Sequence, residues 1–178
     1  KSAYKDTYAG EENTVFLEAH HLIPSKSITD TVIIFMHPAG AGGAYLPMPI
    51  GLARCGIPVI YCNSRYRGVD SGLIMEKVVM DLGACVRHAK EKLGYRKIIL
   101  GGWSGGGSLS LFYQSQAENT SLKKTPAGDP PDLTTVGLMS CDAVMLLASH
   151  CSRATTLTEW LDPSILDENN LEVRDRDL

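Results

Sequence analysis

Ser104 is the residue of this chain best suited to nucleophilic chemistry. It stands in the middle of Gly102-Trp-Ser-Gly-Gly106, which fits the pattern G-x-S-x-G, between a predicted strand over residues 97–100 and a predicted helix that extends to about Ala117. A serine on such a turn projects its hydroxyl above the sheet edge at a helix N-terminus, where backbone N–H groups and the dipole stabilise developing negative charge. The pattern predicts a nucleophile, and a glycine-rich turn with an incidental serine is the alternative.

A second glycine-rich turn follows another predicted strand. The run 31–36 is apolar and rich in β-branched residues, as in strands buried on both faces of a parallel sheet, and it ends at His37-Pro-Ala-Gly-Ala-Gly-Gly43. Together with the serine turn, this segment resembles the α/β-hydrolase family. The loop from Arg65 to Gly72 resembles that family's R-G-x-G-x-S loop, and Asp81 its common acidic position. The resemblance covers about residues 31–148.

The resemblance implies an oxyanion hole made of backbone N–H groups beside the nucleophile Ser104. The donors carried over to this sequence are Ala39 and Gly105. Proline has no N–H, so Pro38, where the family usually has glycine, cannot donate, and Gly40 is the second candidate.

The resemblance also implies a base and an orienting acid, in the chain order serine, acid, histidine. His150 is the only histidine after Ser104. Carboxylates that could serve as the acid lie on both sides of it, at Asp129, Asp132, Asp142, Asp162 and Asp167. Two interpretations stay open: either His150 is the base, or the acid and the base belong to a second chain or a missing C-terminal segment that completes the fold. We expect the second.

Hydrophobic spacing predicts the elements around these turns. Apolar residues from Ile74 to Leu93 recur with the period of one helix face, which predicts a helix of about 20 residues that ends at Gly94. A short helical stretch is predicted to close at Gly56, with a strand over residues 57–62 after it.

Two more predicted strands complete the pattern. Alternation over residues 14–23 indicates a strand near an edge, and the apolar run 143–148 indicates a further buried strand. Alternating strands and helices predict a doubly wound, mostly parallel sheet of the α/β-hydrolase type that lacks its C-terminal strands. We expect a core over residues 1–150 and the start of a cap or lid over 151–178.

Composition limits the classes of partner. The chain has 178 residues, a formal charge of -3 and no long basic block, so we expect no nucleic-acid partner. No apolar run approaches bilayer length, so we expect no membrane partner. Five cysteines without a C-x-x-C pair are interpreted as buried free thiols in a reducing compartment, which favours a cytoplasmic location.

Neither a cofactor nor a metal is expected from the sequence. Residues 102–107 lack the lysine of a phosphate-binding loop, and the turn after His37 lacks the final small residue of the dinucleotide fingerprint. The adjacent His20 and His21 would point to opposite faces of a strand, and His88 lies among charged residues of a predicted helix.

Taken together, these features predict a serine hydrolase that cleaves a small-molecule carboxylic ester through an acyl-serine intermediate. The preference for esters is implied by the resemblance. An acyltransferase or a C–C bond hydrolase on the same scaffold is one alternative, and a non-catalytic protein that binds a small ligand is another.

Overall fold

The computed structural model describes most of the chain, in ranges separated by short gaps. They are residues 2–5, 12–40, 47–68, 72–152, 155–156, 160, 162–167, 169–170 and 172–175. Of the sequence motifs above, positions 41–43 of the first turn and 69–71 of the loop before Gly72 lie outside these ranges.

Seven strands, three α-helices and one 3-10 turn have both of their ends in the described part of the chain. In chain order they are β1 (Ser2–Lys5), β2 (Glu12–Val15), β3 (Ala19–Leu22), β4 (Thr31–Phe35), α1 (Pro47–Arg54), β5 (Val59–Cys62), α2 (Met75–Glu91), β6 (Lys97–Trp103), α3 (Gly105–Glu118), the 3-10 turn (Leu133–Thr135) and β7 (Ala143–Leu147).

Five strands form the main sheet, in the order β3-β5-β4-β6-β7. Strand β3 pairs antiparallel with β5, and the other pairs are parallel. Helices separate the parallel strands along the chain, as a parallel crossover requires. The doubly wound, mostly parallel sheet expected from the sequence is confirmed.

The two faces of the sheet carry cores of different size. One face packs against α2 and α3 through a large buried cluster that includes Ile34, Leu100 and Tyr113. The other face packs against α1 through a smaller cluster around Phe35 and Tyr61. Since side chains alternate along a strand, β4 and β5 need apolar residues on both faces, which explains their unbroken apolar runs.

The structure corrects two of the predicted strands. The segment 14–23 is two strands, because β2 pairs with β1 in a separate sheet while β3 lies at the edge of the main sheet. Strand β7 was expected to be buried, but its residues are half-buried or exposed, and Leu146 is 47 % exposed. The reason is its position: among the described residues only β6 pairs with it, so it forms the other edge.

The cysteines follow the prediction only in part. All five are free thiols, and Cys62, Cys85 and Cys141 are buried. Cys55 and Cys151 are exposed, which contradicts the expectation for those two. No helix in the described ranges is both long and apolar enough to cross a bilayer.

Candidate active site

Ser104 occupies a strained backbone conformation at the junction of β6 and α3. Its φ of 53° and ψ of -128° lie where L-residues are rare, so the surrounding structure must hold them. The Ser104 N–H donates to the carbonyl of Leu147 at 3.3 Å, and its carbonyl accepts from Gly107 N–H at 3.0 Å and from His150 N–H at 3.1 Å. Backbone bonds to β7, to α3 and to the loop after β7 therefore fix this turn.

Two glycines of the motif allow close backbone packing around Ser104. A β-carbon added at Gly102 would lie 2.7 Å from the Cα of Gly107, and one added at Gly106 would lie 2.6 Å from the carbonyl oxygen of Met36. Both neighbours are backbone atoms that cannot rotate away. The spacing of the motif thus follows from the contact of α3 with β6 and with the end of β4.

The imidazole of His150 lies next to the Ser104 hydroxyl. Ser104 Oγ and His150 Nε2 are 3.3 Å apart, a hydrogen-bond contact between a nucleophile type and a base type. Both residues are half-buried. The sequence favours the other interpretation, in which the base is not part of this chain, but the geometry brings the two side chains together.

A sharp turn after β7 directs His150 toward the serine. Ala148 has a positive φ of 43°, and Ser149 Oγ accepts from Leu147 N–H at 3.0 Å while donating to the carbonyl of Gly102. Nothing in the sequence of this turn signals a positive φ, because alanine rarely adopts one. This is why the position of His150 could not be foreseen.

Four of the five carboxylates expected as acids accept hydrogen bonds from other residues. Asp142 Oδ2 accepts from Ile98 N–H at 2.8 Å, which joins β7 to β6. Hydrogen bonds from Thr134 lower the pKa of Asp132, and hydrogen bonds from Ser164 lower the pKa of Asp162. Among the described residues, no carboxylate forms a hydrogen bond with His150. The local contacts of Asp129 and Asp167 lie in their own loops.

The turn after β4 is fixed by its own contacts. Ala39 N–H donates to His37 Nδ1 at 3.3 Å, and Ser64 Oγ donates to the carbonyl of Pro38. Gly40 folds back over His37, since an added β-carbon there would lie 2.7 Å from the His37 Cβ. Of the expected oxyanion donors, Ala39 N–H is therefore directed at His37 in this arrangement.

Gly105 N–H is better placed than Ala39 N–H to bind a substrate oxyanion. Gly105 is the first residue of α3, where backbone N–H groups have no acceptor within the helix. The His37 ring lies beside it, because a β-carbon added at Gly105 would come within 3.0 Å of His37 Nε2. This N–H directly follows the serine, as the resemblance implies.

A buried ion pair holds the loop that supports this turn. Arg65 Nη2 and Asp81 Oδ1 are 2.6 Å apart, Arg65 N–H donates to Asp81 Oδ2 at 2.9 Å, and the Asp81 side chain is fully buried. The same loop donates from Gly68 N–H to the carbonyl of Ala39 at 3.0 Å. The acidic position noted in the sequence thus connects α2 to the backbone near the candidate oxyanion hole.

Away from Ser104, the described part of the chain offers cavities but no cluster of side chains that could hold a metal ion. In the ranges that the structure covers, no three His, Cys, Asp or Glu side chains gather where they could hold an ion. A cavity of about 380 Å³ between α2, β3 and β5 is lined by His21, His88 and Cys85 among others, and Ser104 does not line it. Burial, with His88 as a second cause, lowers the pKa of His21, whose Nε2 is 2.7 Å from Tyr95 Oη.

Sheet order, helix placement and the strained serine turn together give this chain the α/β-hydrolase fold. No family model and no curated protein matches the sequence. Solved structures that resemble it include esterases and serine hydrolases. A thermostable carboxyl esterase from Bacillus coagulans is 12% identical with a TM-score of 0.47, over 67% of this chain and 40% of that one.

Two further structures match a larger share of their own length. An α/β serine hydrolase homologue from Coxiella burnetii is 21% identical with a TM-score of 0.46, over 82% of this chain and 89% of that one. An α/β serine hydrolase without a lid from Xanthomonas campestris is 18% identical with a TM-score of 0.47, over 82% of this chain and 72% of that one.

Proposed function

We propose that this protein is a serine hydrolase that cleaves small-molecule carboxylic esters, with Ser104 as nucleophile and His150 as base. The observation that carries the proposal is the 3.3 Å contact between Ser104 Oγ and His150 Nε2 at a strained strand-to-helix turn. A serine hydroxyl becomes an effective nucleophile only when a neighbouring base takes its proton.

The proposed reaction has two halves. Ser104 Oγ attacks the ester carbonyl while its proton passes to His150 Nε2; the C–O bond to the alcohol then breaks, and the alcohol leaves with that proton. Water next attacks the acyl-serine, again giving up a proton to His150, and the acid leaves as Ser104 regains its hydrogen.

The negative charge on the carbonyl oxygen needs backbone donors. Gly105 N–H, in the first turn of α3, is the first donor of the proposal. A second donor requires the turn after β4 to release Ala39 N–H from His37 Nδ1, or Gly40 N–H to serve instead. Binding of the substrate oxygen could compensate for the lost Ala39 contact, which is long at 3.3 Å.

We also propose that a further strand, from a second chain or from additional C-terminal sequence, pairs with β7 and brings a carboxylate to His150. The exposed edge of β7 and the lack of a carboxylate at His150 among the described residues support this. Unpaired strand edges attract other chains, and proteins usually cover them. Esterase activity from a single monomeric species of 19.3 kDa, with His150 required, would contradict it.

One observation favours a non-catalytic function instead. In the described ranges no acid orients His150, and a binding protein on this fold would not need one. A fluorophosphonate probe separates the two functions because it reacts covalently only with an activated serine. The free thiols are consistent with a cytoplasmic protein, which we include in the proposal.

The test compares three proteins under the same probe. Wild type should be labelled at Ser104, Ser104→Ala should not be labelled, and Ser110→Ala, which removes a buried serine of the same helix, should be labelled as wild type. Labelling must map to Ser104 by peptide mass. An unlabelled wild-type protein with its native melting temperature would support the binding function and overturn the enzyme.

A further inference from the structure

Trp160 is the aromatic residue that contacts the imidazole of His150. The ring centroids are 4.9 Å apart and the ring planes are nearly perpendicular, at 84°. The indole is also 66 % exposed, so its contact with His150 is not a consequence of burial in a core. Large apolar side chains with this much exposure gain little from hydrophobic burial.

The loop that carries His150 has few other constraints on the imidazole. It follows an edge strand, and in the described part of the chain the only hydrogen bond of the ring is the one to Ser104 Oγ. A base must hold its orientation through two proton transfers in each cycle. A second contact on the ring would help to hold that orientation, with or without a carboxylate from a further strand.

The segment after Trp160 has its own hydrogen bonds. Asp162 Oδ1 accepts from Ser164 Oγ at 2.6 Å, and Arg174 Nη1 donates to Asp162 Oδ2 at 3.1 Å. Asp175 N–H donates to the carbonyl of Ser164 at 2.8 Å, and Ile165 forms a bridge with Arg174. A folded hairpin therefore begins two residues after the indole.

We propose that Trp160 is a positioning residue that orients His150 toward Ser104. This rests on the proposed function. Perpendicular ring pairs with centroids about 4.5–7 Å apart are a favoured aromatic arrangement, so the indole favours the imidazole orientation in which Nε2 contacts Ser104 Oγ. The contact also restricts rotation of the imidazole.

The experiment measures turnover of an aryl ester by Trp160→Ala and Trp160→Phe. Because the effect acts on proton transfer, kcat should fall about tenfold in Trp160→Ala with KM nearly unchanged, and Trp160→Phe should retain most of the rate. Val173→Ala, which removes an exposed apolar side chain from the nearby hairpin, should have the kcat and KM of wild type. Equal kcat in wild type and Trp160→Ala would overturn the proposal.

A double-mutant comparison separates positioning from general loosening. In a His150→Ala background, Trp160→Ala should cause no further loss, because its effect passes through the imidazole. A further tenfold loss in that background would assign Trp160 a structural role and contradict the proposal. If His150→Ala and Ser104→Ala keep wild-type activity, the proposed function itself has failed, whatever Trp160 does.

Discussion

Ser104 follows β6, a strand paired on both sides, whereas His150 follows β7, which among the described residues is paired on one side. On the serine side, backbone hydrogen bonds and glycine contacts surround the turn. On the histidine side, the strand is half-exposed, Ala148 has a positive φ, and the indole against the imidazole is largely exposed.

The difference teaches that the nucleophile and the base are fixed by different means. The serine turn is part of the packing of the sheet, so substitutions that disturb its backbone should damage folding and activity together, whereas loss of the serine hydroxyl alone should affect only activity. The base is held by a surface loop and by the ring contact of an exposed indole, so changes there should reduce activity while stability stays nearly constant. The substitutions below separate these two behaviours.

Gly106→Val should have the largest effect, with loss of both fold and activity. The added side chain meets the carbonyl oxygen of Met36, which cannot move without breaking the contact of α3 with the end of β4. Circular dichroism melting and aryl ester turnover measure the two losses. Gly51→Ala is the matched control, since nothing lies within 4 Å of a β-carbon there. A native melting temperature in Gly106→Val would show that the turn is not part of the packing.

Ser104→Ala should remove activity without a loss of stability. Without the hydroxyl no acyl-enzyme forms, and the rate should fall by about 10³-fold or more. The melting temperature should change little, because the backbone bonds of the turn remain. Steady-state kinetics on an aryl ester measures the rate. Activity within about tenfold of wild type would rule out Ser104 as the nucleophile.

His150→Ala should come next, with a rate reduced by about 10²-fold or more and a melting temperature near that of wild type. The half-buried imidazole follows an edge strand, so its removal leaves the sheet intact. Aryl ester turnover measures the rate, and circular dichroism measures the melting temperature. If stability fell as far as in Gly106→Val, the contrast between the two sides would be wrong.

Asp81→Asn tests the buried ion pair with Arg65, which supports the serine side of the site at a distance from the reacting atoms. Neutralising a fully buried carboxylate leaves the Arg65 charge uncompensated, which costs about 3–5 kcal/mol in comparable buried pairs. Urea unfolding should show this loss in the free energy of unfolding. Glu91→Gln, which alters an exposed carboxylate at the end of the same helix, is the control. A loss in Asp81→Asn no greater than in the control would remove the ion pair from the account.

The smallest expected effect is the loss, at acid pH, of the contribution that Asp162 makes to the hairpin after Trp160. Hydrogen bonds from Ser164, with the charge of Arg174, hold the pKa of Asp162 below its ordinary value of 3.8. Because the folded pKa is the lower one, the contribution of Asp162 to the hairpin is present above pH 3.8 and is lost as pH falls through the folded pKa. In wild type, limited proteolysis of the segment after Trp160 should therefore increase as pH falls below 3.8. Asp162→Asn should remove this dependence of cleavage on pH. An identical pH profile in the variant would contradict it.

Much of the fold could be predicted because burial leaves a direct pattern in the sequence. The apolar runs of β4 and β5 and the 3.6-residue period of α2 arise from packing against two faces or one face of a sheet. The exposure of β7 could not be predicted, because an apolar run does not reveal whether both of its edges have partners. The break between β2 and β3 could not be predicted, because the alternation of apolar and polar residues continues across it.

The candidate site divides in the same way. Ser104 was found because its turn requires glycines at fixed positions, and close backbone packing is visible in a sequence. The contacts of His150 with Ser104 and with Trp160 depend on how the chain turns at Ala148, whose positive φ has no sequence signature. The hydrogen bond of Ala39 to His37 likewise depends on how a turn closes.

The most direct test of the account is to isolate the acyl-enzyme. Wild-type protein mixed with an excess of an aryl acetate should release a burst of the phenol close to one equivalent. After acid quenching, the peptide that contains Ser104 should carry the mass of one acetyl group. His150→Ala should form the same adduct far more slowly. No adduct on wild type, or an adduct on another residue, would contradict the assignment of Ser104 as a nucleophile activated by His150.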